Sequence, residues 1–114
     1  MPTSVFGISV KYEAWNHQDS LPIYIAGSYD SHTAYIGNRR CIMLTSTEEL
    51  ATLPALKKQI EKIQQIDNVP VVFELVTVSN YRRKSLIENN IPFITTKQVF
   101  LPFIGTMLTD ERSP

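Results

Sequence analysis

Between residues 41 and 95 the chain runs through an apolar segment, a helix, a second apolar segment, a second helix and a third apolar segment. This order constrains the fold more than any other feature. Residues 41–45 (CIMLT) are continuously apolar up to the threonine, the pattern of a strand covered on both faces. Thr52 can cap the helix that follows, and Pro54 is tolerated in its first turn. Leu56, Ile60 and Ile63 then fall on one face at i, i+4 and i+7, opposite Lys58, Glu61, Lys62 and Gln65. Thr47 is expected to cap a preceding turn, with Glu48 and Glu49 near its positive end. Asp67 and Asn68 make a turn, and residues 69–76 (VPVVFELV) read as the strongest strand. Ser79 caps a helix over 80–89 with Leu86 and Ile87 inward, ended by Asn89 and Asn90, and residues 91–95 form the third strand. Strands joined by helices imply parallel βαβ units with right-handed crossovers.

The flanks are less regular. Residues 5–15 alternate loosely and suit a first strand, and 16–20 (NHQDS) form a polar turn. Residues 21–26 are a short apolar piece in which Pro22 fits a strand start or edge. Asp30 or Ser31 can cap a short helix to about Ile36, with Gly37 and Asn38 as its left-handed stop. Residues 98–101 and 105–108 are expected to be extended. The fold class these readings predict is α/β, a small mixed and mainly parallel sheet flanked by helices in two or three layers. The first strands would add an antiparallel edge, and a degenerate restriction-nuclease-like core is one form of such an order. Residues 1–108 read as a single domain and 109–114 as a polar tail.

A chain of 114 residues can bury a core without disulfides or metal. Lys and Arg number 11 and Asp and Glu 11, so no net field draws the chain to nucleic acid or an anionic membrane. The one cysteine, Cys41, rules out an internal disulfide and reads as a buried inert thiol. No apolar stretch reaches the roughly 18 residues of a membrane span, and the N-terminus does not read as a signal peptide, so the expected setting is cytoplasmic.

Chemistry is sparse. His17, Asp19, Asp30, His32 and Cys41 are metal-ligand types, but their spacing matches no recurrent site and solvated loop positions explain most of them. A restriction-type nuclease needs an acid-x-lysine pair on a strand to hold Mg²⁺ and orient water. Here Glu74 is followed by Leu75 and Val76, so the lysine is absent. With 4 glycines and no glycine-rich turn after a strand, a phosphate cradle is missing, and no serine stands in a G-x-S-x-G elbow. No catalytic, cofactor or metal residue is assigned.

The basic run Arg82-Arg83-Lys84 begins a helix whose dipole disfavours cations by up to about 1 kcal/mol. A carboxylate within the fold or an anionic partner would compensate, and a solvated face is the plainer reading. Tyr81 adjoins this run, and Arg39 and Arg40 precede a strand. With Lys97 and Gln98 after the third strand they complete the candidate anion or partner contacts. Phe100 and Phe103, flanking Pro102, could form an aromatic partner patch or simply belong to the core.

Residues 79–105 (SNYRRKSLIENNIPFITTKQVFLPFIG) carry a basic helix, then I-P-F-I, then Q-x-x-L-P-x-x-G. Tyr81, Arg83, Leu86, Ile87, Pro92, Phe93, Gln98, Leu101, Pro102 and Gly105 stand at the corresponding positions. This pattern, with the segment from Leu21 to Thr45 upstream, resembles the N-terminal α/β region of bacterial MarR-type winged-helix transcriptional regulators over residues 20–108. The resemblance implies a non-catalytic sensing, docking or dimerising domain that self-associates or meets a protein partner. It implies DNA contact only through a C-terminal helix-turn-helix domain that this chain does not supply. A metal-dependent nuclease using Glu74, Asp67 and the 82–84 run, and an antitoxin-like interaction module, are the alternatives.

Overall fold

In the computed structural model, residues 3–5, 8–46 and 49–109 are described, with no account of the side chains of 3–5, 8 and 106–109. Eight strands form one sheet in chain order: β1 (Thr3–Val5), β2 (Ile8–Ala14), β3 (Asp30–Ile36), β4 (Arg39–Ser46), β5 (Val71–Leu75), β6 (Phe93–Ile94), β7 (Gln98–Leu101) and β8 (Thr106–Thr109). Three α-helices interrupt them, α1 (Ile23–Ala26), α2 (Leu53–Ile66) and α3 (Asn80–Glu88).

The expected β-α-β-α-β order holds: β4 pairs with β5, and β5 with β6, in parallel across α2 and α3. Every other pairing is antiparallel, so "mainly parallel" does not describe this sheet. Parallel pairing needs a long crossover, and the segments carrying α2 and α3 supply the two seen here. Most other strands are joined by short turns that return the chain antiparallel; β2 and β3 are also antiparallel, although the connection between them carries α1.

The largest correction falls on residues 30–36, expected as a helix and found as the strand β3, central to a meander. Its side chains alternate between the sheet's faces, and Gly37 adopts φ 60° in the two-residue turn to β4. Gly-Asn ends a helix or turns a hairpin equally well. Pairing to β2 and β4 on both edges decides the matter. In the opposite sense, residues 23–26, expected extended, form one helical turn after Pro22, whose fixed φ suits a helix start. Thr52 is the N-cap of α2 by position, but its side chain makes no capping bond. The third strand is shorter than expected, Phe93–Ile94 only. The proposed Thr47 cap with Glu48 and the tail from Asp110 lie outside the described residues.

All three helices lie on one face. Ile25, Leu56, Ile63 and Leu86 share a buried cluster with Ile42, Leu44, Phe73 and Phe93 of the sheet. The architecture is therefore two-layered. Gln59, on the buried face of α2, is a polar member of this layer, and the Tyr29 hydroxyl donates to its Oε1 at 2.8 Å.

The other face buries Val10, Ile36, Cys41, Met43, Val72, Ile94 and Leu101 with none of the three helices on it. Long side chains lying across the sheet account for this in part. The Tyr12 hydroxyl of β2 donates to Glu74 Oε2 of β5 at 2.9 Å. Arg39 likewise reaches from β4 to the Phe103 carbonyl beyond β7, at 3.4 Å. These side chains cover part of the apolar floor of this face. Burial there pushes the Cys41 thiol up to about 12, so it stays protonated and unreactive at neutral pH.

Candidate binding site

The ends of β4 and β5 meet the start of α3, and a crevice of about 620 Å³ opens there. One wall is the loop 49–52 after β4, and the other is the run from Leu75 through Arg82. The crevice lies beyond the carboxyl ends of the parallel strands β4 and β5. Sequence forms this end locally. β5 finishes at Leu75, residues 76–78 are irregular, and the Ser79 hydroxyl accepts from the Arg82 N–H at 3.1 Å to cap α3. That cap orients the first turn and so places Tyr81 and Arg82 on the rim.

Arg82 is engaged inside the fold. Its Nη2 donates to the Leu50 carbonyl at 2.6 Å and also to the Ala51 carbonyl, tying the loop to α3. These acceptors are neutral, and among the described residues no carboxylate pairs with Arg82, Arg83 or Lys84. The compensating carboxylate that the helix dipole calls for is therefore not within the described fold. Arg83 is half-buried with its Nε lacking a partner, and Lys84 is exposed.

Two of the strongly exposed apolar side chains line this crevice: Val76 is 67% exposed and Tyr81 85%. The exposed Ile23 and Tyr24 of α1 are not part of its lining. Lys97 and Gln98, in and after the turn that follows β6, also lie at this end; Lys97 is exposed and Gln98 is half-buried with an unpartnered Oε1.

Arg39 and Arg40 lie apart, at the beginning of β4. Arg40 grips Asp67 with both terminal nitrogens, at 2.9 and 2.5 Å, and the Trp15 indole donates to Asp67 Oδ2 at 3.0 Å. The Arg40 guanidinium holds the Asp67 carboxyl below the usual carboxylate range, helped by the indole N–H. Arg39 stacks 6.0 Å from the Phe103 ring centroid. The eight candidate contacts therefore divide: Tyr81, Arg82, Arg83, Lys84, Lys97 and Gln98 at one end, Arg39 and Arg40 at the other. Phe100 is buried and Phe103 half-buried, so neither is strongly exposed.

Glu74 occupies the face without the three helices and is not part of the crevice lining. Its two oxygens accept from Tyr12 and from the Thr45 hydroxyl, the latter at 2.8 Å. Burial, and then the neighbouring Glu74 charge, raise the Tyr12 pKa, so the phenol remains a donor. Glu74 and Asp67 belong to separate hydrogen-bonded groups, so they do not form the site that a nuclease reading requires. Among the described residues, no three His, Cys, Asp or Glu side chains converge to hold a metal, and no helix is long and apolar enough to cross a membrane.

Sequence reasoning found the capped helix but missed the crevice opposite it. A signal was present: a cation run at a helix start with no acid in the first turn. The loop that Arg82 meets lies about thirty positions away, however, and only folding brings it there. Comparison with protein-family models, with curated proteins and with solved structures finds no match to this chain.

Proposed function

We propose that this chain is a non-catalytic sensing and docking domain, with the crevice end of the sheet as its binding surface. The observation that carries the reading is the coincidence, at that end, of the crevice, the strongly exposed Val76 and Tyr81, and cations that meet no carboxylate among the described residues. The residue pattern at 79–105 supports a setting in a bacterial, cytoplasmic winged-helix regulator, where this domain would self-associate or meet a protein partner. DNA would be contacted by another domain. Within this reading the sheet is a restriction-nuclease-like core without its active site. No lysine follows Glu74 at the required spacing, and both Glu74 oxygens are already hydrogen-bonded.

Light scattering coupled to size exclusion, alongside incubation with DNA and RNA in Mg²⁺ or Mn²⁺, tests this proposal. The expected result is a defined assembly that Val76→Asp and Tyr81→Ser dissociate, with no cleavage. A monomer indifferent to both substitutions would remove self-association through this end. Metal-dependent cleavage abolished by Glu74→Ala would replace the whole reading with a nuclease.

A further inference from the structure

Among the described residues, the crevice carries two charged side chains of opposite sign, Glu49 and Arg82. They are not paired with each other, and among the described residues neither forms an ion pair elsewhere. Arg82 spends Nη2 on two loop carbonyls, while its Nε and Nη1 donors meet no acceptor among the described residues. Glu49 is exposed. The rest of the lining mixes apolar side chains, Leu50, Leu75, Val76 and Val78, with the hydroxyls of Thr52, Thr77 and Ser79.

A ligand covering this crevice removes water from both charges, and an uncompensated charge is costly to desolvate. A simple anion satisfies Arg82 and is repelled by Glu49. A simple cation does the reverse, and a neutral apolar molecule leaves both unmet. The matching species carries a positive and a negative group side by side on an apolar body. We propose that the crevice takes a small zwitterion of this kind, the class of apolar α-amino acids, with carboxylate on Arg82 and ammonium on Glu49. A guanidinium is well suited to the carboxylate, which it can meet with two parallel N–H bonds. About 620 Å³ lies within the ordinary range of small-ligand sites. The inference rests on the crevice being the binding end.

Titrating the full chain with L-leucine, with 4-methylpentanoate (no ammonium) and with 3-methylbutylamine (no carboxylate) tests it, read by calorimetry and two-dimensional NMR. The expected result is saturable leucine binding about tenfold or more tighter than either half-ligand, with shifts confined to residues 49–52 and 75–82. Glu49→Gln should weaken leucine by about tenfold and leave 4-methylpentanoate no weaker, at an unchanged melting temperature. Arg82→Lys keeps the charge and should weaken the two carboxylate ligands together. Equal affinity for leucine and 4-methylpentanoate, indifferent to Glu49→Gln, overturns the zwitterion while leaving a binding crevice. No binding of leucine overturns the inference outright, and the assembly experiment then judges the docking surface independently.

Discussion

Two arginines, Arg40 at the start of β4 and Arg82 at the start of α3, do different work with the same chemistry. Arg40 meets a carboxylate in a two-pronged pair that an indole N–H reinforces. Its charge is balanced inside the fold. Among the described residues Arg82 meets only two backbone carbonyls, so its charge is not balanced by a carboxylate there. One region closes the sheet against the end of α2, and the other holds a loop beside an open crevice. A basic residue at a candidate site is informative only once its acceptors are known.

Asp67→Ala should sharpen the contrast most. It leaves Arg40 and the Trp15 indole without their acceptor, and we expect about 2–3 kcal/mol of lost stability in urea unfolding. That lies below the 3–5 kcal/mol of fully buried pairs because Arg40 is 38% exposed and partly screened. The sign of the pH dependence follows from Asp67, whose folded pKa is lowered. Its contribution is present above the unfolded carboxylate value of about 3.9 and is lost as pH falls through the folded value. The gap between wild type and Asp67→Ala should therefore close in acid; a gap unchanged down to full protonation would count against the pair.

Tyr12→Phe should cost about 1–2 kcal/mol, because one half-buried Glu74 oxygen loses its donor. A cost near zero would mean that this bond does not help hold the cover of that face. Ser79→Ala should cost about 1 kcal/mol through the lost cap. It should also speed hydrogen exchange in the first turn of α3, and exchange unchanged there would show the crevice rim to be set by other contacts. Val76→Asp and Tyr81→Ser should change stability by less than about 0.5 kcal/mol while altering assembly. A large loss of stability from either would make that end structural and erase the distinction drawn here.

Local rules read well where one element's own residues decide it. Ser79 capping α3, the apolar face of α2 at Leu56 and Ile63, and the doubly covered strand at Cys41–Leu44 were all legible from spacing. Residues 30–36 were not, since Gly37-Asn38 serves a helix end and a hairpin alike. The candidate site was half legible. The cation run was visible, but the crevice needs the loop at 49–52.

What the sequence alone determined is the alternation of strand and helix from Cys41 to Thr95, because apolar period and capping act over a few residues. Only the tertiary structure decided that most strand pairs run antiparallel and that Tyr12 reaches across the sheet from β2 to Glu74. It also decided which arginine is neutralised, Arg40 by Asp67, and which is left facing a crevice. Those outcomes depend on contacts between residues 27 to 62 positions apart, where strand pairing and burial, and no local preference, select the partner.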